Sequence, residues 1–141
     1  MIHLILFFAF AFAPIEAEPL KLTSVARGPH SQIEEPRTTV IRTPAEWAAL
    51  WKEHSPDTKA PAVDFKQGMV VAVFAGTKPT AGHAVAITQV DARESDIVVT
   101  YSESAPGPSD MVAQMLTSPF DIVRTDARPG KGTFKRAAPA R

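Results

Sequence analysis

Cysteine is absent from the 141 residues. No disulfide, thiol nucleophile, thiolate metal site or lipid-modified cysteine is therefore available, and the hydrophobic core must hold the fold unaided. An excess of one charge is absent too: 15 basic residues face 15 acidic ones, which leaves neither a nucleic-acid footprint nor a polyanion partner. Glycine is sparse, at 7, and none opens a helix in the phosphate-cradling manner, because Gly76 and Gly82 fall between two expected strands. No G-x-S-x-G occurs, and His30, His54 and His83 have no histidine partner at i+3 or i+4. Neither a nucleophile elbow nor a metal motif is present, so the residues by themselves name no catalytic group, no metal site and no cofactor.

Long apolar runs are also missing. The first residues, MIHLILFFAFAFAPIEAEPL, hold an apolar stretch over residues 4–13, too short for a settled membrane helix. It reads as a secretory signal peptide cleaved after Ala17, with Ala11-Phe12-Ala13 as the competing small-x-small site, although its n-region carries only His3 for positive charge. The expected organisation is a signal peptide over 1–17, one β-rich domain over 18–126 and a basic tail over 127–141 that contains Pro129, Gly130, Gly132 and Pro139. Export to a periplasmic or extracellular location follows, with no membrane span in the mature chain.

What is present centres on MVVAVFAGTKPTAGHAVAI, residues 69–87. The valine-rich run 69–75 is uninterruptedly apolar, the pattern of a strand buried on both faces. Residues 77–82 break it with Pro79 and Gly82. Residues 83–90 then resume in alternation, which predicts an antiparallel return beside the central strand. Upstream, 20–26 reads as an edge strand and 37–43 (RTTVIRT) as a second strand running into a helix. Thr43 is suited to cap that helix, Pro44 to its first position, and Glu46 closes a capping box, contributing about 1 kcal/mol. Trp47, Leu50, Trp51 and His54 fall at i, i+3, i+4 and i+7, so both tryptophans belong to one apolar stripe aimed at the central strand. Asp64 reads as a turn carboxylate. Downstream, 97–102 (IVVTYS), 111–116 and 120–125 (FDIVRT) read as strands, with a short one around Thr133 and Phe134.

Three loops stiffened by proline and glycine remain: 77–83, 105–109 and 117–120. Restricted loops lose little conformational entropy on docking, so they are the candidate recognition surface. The candidate residues are Lys78, Pro79, Thr80, Gly82 and His83; Pro106, Gly107 and Pro108; and Ser118, Pro119 and Phe120. The alternative is plain turn chemistry.

The succession EWAALWKEH, VDF, MVVAVFAGTKPTAGHAVAI, VVTYSESAPGP and QMLTSPFDIV resembles the PrcB C-terminal-domain family, named for an accessory subunit of a bacterial cell-surface protease complex. The resemblance covers about residues 40–124. It implies an exported, mostly β, non-catalytic domain with a protein partner, a peptidase in the eponymous case. Where the family pattern has Gly-Gly-aromatic, this chain has Ala81-Gly82-His83. More distantly, residues 78–83 are similar to the N-P-T-T-G-Y loop of chagasin-like cysteine-protease inhibitors, which implies an inhibitor as one alternative. An envelope hydrolase using His83 is another. The expected fold is mainly β (α+β): a small antiparallel β-sandwich or open barrel with one amphipathic helix packed on it.

Overall fold

A computed structural model describes residues 17–138. The expected signal peptide, apart from Ala17, falls on residues 1–16 and lies outside the described residues. Eight strands and one helix follow in the order β1 (Glu18–Pro19), β2 (Thr23–Gly28), β3 (Arg37–Ile41), α1 (Pro44–His54), β4 (Gly68–Phe74), β5 (Ala84–Ala92), β6 (Asp96–Ser104), β7 (Phe120–Asp126) and β8 (Lys131–Arg136). They form two four-stranded sheets, ordered β1-β5-β6-β8 and β2-β7-β4-β3. The open two-sheet sandwich with one helix is the fold class expected from sequence.

Every residue of β4 is buried, and alternation along the strand divides its side chains between two cores. Met69, Val71 and Val73 point between the sheets, where they meet Val85, Ile87 and Val90 of β5, Ile97 and Val99 of β6, and Val123 of β7. Val70, Ala72 and Phe74 point outward, where α1 covers them with Trp47, Leu50 and Trp51. The layers are therefore helix, sheet, sheet, and β4 is apolar throughout because both of its faces leave water.

The helix begins as its sequence dictates. The Thr43 hydroxyl accepts the Glu46 amide at 3.2 Å and donates to the Glu46 carboxylate at 2.9 Å, and Pro44 occupies the first turn. The carboxylate is thus held by the cap's side chain rather than by its backbone amide. Residues 55–61 fold back under the helix to satisfy the buried indoles, with Trp47 Nε1 donating to the Pro61 carbonyl at 3.0 Å and Trp51 Nε1 to that of Thr58 at 3.2 Å. His54 closes the stripe, its ring 4.2 Å from that of Phe120 and 4.9 Å from that of Trp51, with Nδ1 2.8 Å from the Ser31 hydroxyl. Asp64 accepts the Lys66 amide at 2.9 Å, an Asx turn.

Four expectations need correction. First, residues 83–90 do not return beside the central strand. Both edges of β4 are occupied, by β3 (Val71 opposite Val40) and β7 (Val71 opposite Val123), so the chain crosses to the other sheet and β5 pairs with β6 and β1. Second, the first edge strand runs over Thr23–Gly28 rather than 20–26, because Leu20 is drawn into the inter-sheet core while β2 follows β7 as far as Phe120. Third, residues 111–116 form no strand. Their neighbouring segment 77–83 contains Pro79, which has no amide to donate, and pairing stops at the single bridge between Lys78 and Thr117. Fourth, the short strand around Thr133 and Phe134 is the middle of a six-residue strand, β8, which runs parallel to β6 and so departs from a wholly antiparallel sandwich. Gly130 permits the approach to β8: at φ +112°, a Cβ there would lie 2.6 Å from the Ser95 carbonyl.

Trp47→Ala is expected to cost about 3–5 kcal/mol in urea unfolding, by cavity formation under the helix; a loss below about 1 kcal/mol would contradict its place in the core. Burial lowers the His54 pKa below its ordinary 6.5. The unfolded chain therefore takes up the proton first as the pH falls through 6.5, and stability present above that pH is lost below it. Unfolding midpoints should drop between pH 8 and pH 5.5 in the wild type, and the His54→Phe variant should lose most of that slope.

Candidate functional site

The three candidate loops converge at one end of the sandwich, beyond the C-terminal end of β4. Lys78 and Thr117 exchange backbone hydrogen bonds of 2.7 and 3.0 Å, and the Ala81 amide donates to the Ala113 carbonyl at 3.0 Å. The Thr117 hydroxyl donates to the Thr80 carbonyl at 2.9 Å. Gly82, at φ +88°, lies so close to Val112 and Pro106 that a Cβ would meet them at 3.1 and 3.2 Å, which brings 105–109 into the same cluster. A lone turn would need none of these cross-links.

Within this end the candidate residues divide. Pro79, Gly82, Gly107 and Pro108 are exposed, while Lys78, Thr80, His83 and Pro106 are half-buried. Ser118, Pro119 and Phe120 are interior. Ser118 is pinned by the Pro29 carbonyl and the Ser31 amide, the Pro119 carbonyl accepts the Ala75 amide, and Phe120 packs against His54 and Phe74. These three form the support of the loop end; its accessible surface belongs to the other two loops. Residues 107–110 are themselves fixed, with the Asp110 carboxylate accepting the Gly107 amide at 2.6 Å.

Beside loop 77–83 opens a cleft of about 490 Å³ lined by Lys78, His83, Ala84, Glu103, Ser104, Ala105 and Arg136. Arg136 reaches Glu103 at 2.9 Å; Lys78 has no ion pair among the described residues. Next to the same loop in the hydrogen-bonding pattern, the segment before Thr117 carries Met111, Met115 and Leu116, which are 101%, 46% and 70% exposed and are the large hydrophobic side chains left in water among the described residues.

Several of these residues escape sequence reasoning. Arg136 lies in a tail that reads as solvated, and only its strand β8 brings it to Glu103. Met111, Met115 and Leu116 have the composition of a strand, and what sets them apart is the proline on each side, Pro108 and Pro119. Asp121 is a third case, a carboxylate within the apolar FDIV. It points between the sheets and accepts the Ile87 amide at 2.7 Å, just before the irregularity at which β5 shifts register against β6. A backbone donor on the open edge of one sheet is thereby satisfied by a side chain of the other. Burial raises the Asp121 pKa above the usual carboxylate value, against the Ile87 amide, the Arg27 charge and the Ile122 amide, which all lower it.

Residues 69–126 match the family model described as PrcB C-terminal, which bears out the resemblance drawn from the sequence. The match begins at the central strand, spans β4 to β7 and includes the whole converging loop end; the helix lies before it. No curated protein and no solved structure matches the chain.

The raised Asp121 pKa fixes the sign of a charge effect. Between 3.8 and the folded value the unfolded chain has already released the proton that the fold still holds, so stability falls as pH rises through that window. Asp121→Asn keeps an acceptor for the Ile87 amide without the buried charge. It is expected to be more stable than wild type at pH 7, by a margin that shrinks towards pH 4. Asp121→Ala should instead cost about 1–3 kcal/mol by stranding that amide.

Proposed function

We propose that this chain, which carries a PrcB C-terminal domain over residues 69–126, is a non-catalytic accessory module that binds and stabilises an exported or envelope-attached peptidase. The observation that carries the proposal is the family match itself, because the family takes its name from a protease-complex subunit. The geometry is in keeping with it. The matched segment contains both the buried frame and the cross-linked loops 77–83 and 105–117, and a rigid scaffold that displays stiff loops is suited to protein recognition. Export is part of the same proposal and rests on the apolar leader in residues 4–13.

The full chain, tagged at its C-terminus and expressed in its own host, is expected to retain a peptidase from the exported fraction, identified by mass spectrometry. Activity of that peptidase should be unchanged or longer-lived with the domain bound. Capture without any peptidase would overturn the proposal, and a fall in peptidase rate on adding the domain would transfer it to the inhibitory alternative through residues 78–83.

A further inference from the structure

Met111, Met115 and Leu116 share one short segment, and that segment is fixed in place. The Ala81–Ala113 hydrogen bond and the Lys78–Thr117 bridge hold its backbone against loop 77–83. Its exposed apolar groups thus fall on one short backbone-anchored stretch, and methionine side chains adapt readily to different apolar partners. Lys78, paired by backbone with Thr117, links this ridge directly to the cleft that it lines with His83, Glu103 and Arg136. Glu103 already neutralises Arg136, so among the cations that line the cleft, which is large enough for one or two side chains, Lys78 is the one left without an ion pair among the described residues.

We infer that this ridge and cleft bind an extended polypeptide segment in which apolar side chains alternate with carboxylates, the apolar groups on Met111, Met115 and Leu116 and a carboxylate at Lys78. Charge complementarity selects the occupant: an acidic segment gains from Lys78, whereas a basic one meets it as a like charge. A membrane surface fits less well. The bonds that hold 107–110 and 113–117 in place oppose insertion of the loop into a bilayer. The inference rests on the accessory reading only in taking a protein as the partner, and the test below needs no peptidase.

Fluorescence anisotropy of the purified protein separates the cases, with three probes: a short labelled peptide alternating leucine and glutamate, its leucine–lysine counterpart, and labelled vesicles of phosphatidylglycerol and phosphatidylcholine. The acidic peptide is expected to bind at least about tenfold tighter than the lysine one. The exposed double change Met115→Ser, Leu116→Ser should weaken it by about tenfold or more at unchanged melting temperature. Lys78→Glu should abolish the preference for the acidic peptide while some apolar affinity remains. Equal binding of both peptides, insensitivity to the Met115 and Leu116 changes, or preference for vesicles would each overturn the inference. Peptide binding that fails while a peptidase is still captured by the full chain would leave the accessory role standing and remove only this surface.

Discussion

Burial of both faces of one seven-residue strand is the constraint on which the rest of the structure depends. A strand in that position cannot alternate polar with apolar residues, and β4 does not. Its two rows of side chains require two separate covers, and the chain supplies both: the second sheet for Met69, Val71 and Val73, and the tryptophan stripe of α1 for Val70, Ala72 and Phe74. Without cysteine, these two apolar interfaces carry the stability of the domain. The cap at Thr43 and the indole bonds to residues 55–61 serve the same end by fixing the helix at one angle over the sheet.

The loop end inherits its rigidity from that frame. β4 and β7 pair along their full length, from Gly68 opposite Asp126 to Phe74 opposite Phe120, so the segments that leave β4 and enter β7 emerge side by side. Ala75 bonding to Pro119, and Lys78 to Thr117, continue that pairing into the loops. Proline at 79 then ends it, and the chain splays into exposed turns and the apolar ridge. The candidate loops and the core are thus successive stretches of the same two chain segments, and the family match covers both.

The buried strand, the capped helix and its tryptophan stripe stand out in the sequence because each is dictated by local chemistry: an unbroken apolar run, a Thr-Pro-x-Glu start, a 3.6-residue period. Partner choice between strands is not local. Residues 83–90 have the alternation of a strand, but nothing in them records that β3 and β7 have already filled the edges of β4. The tail likewise reads as polar, and β8 forms because β6 offers a free edge and Gly130 lets the backbone approach Ser95. For the site, stiffness of the loops could be inferred from Pro79, Pro106 and Pro108, whereas the inward direction of Ser118, Pro119 and Phe120 depends on long-range contacts. The methionine ridge followed the same rule in reverse: strand-like residues stayed out of a sheet for lack of a partner able to donate.

The most direct test of the account is amide hydrogen exchange of the domain, free and in the presence of the peptidase proposed as its partner. Amides of β4 should be among the slowest in both states, exchanging only through global unfolding, while the amides of Thr80, Gly82, His83 and residues 111–116, outside the bonds made by Lys78 and Ala81, exchange quickly when free and slow markedly when bound. Slowing confined to the outer strands β2, β3 or β8, with the loop end unchanged, would contradict the assignment of the binding surface to this end of the sandwich.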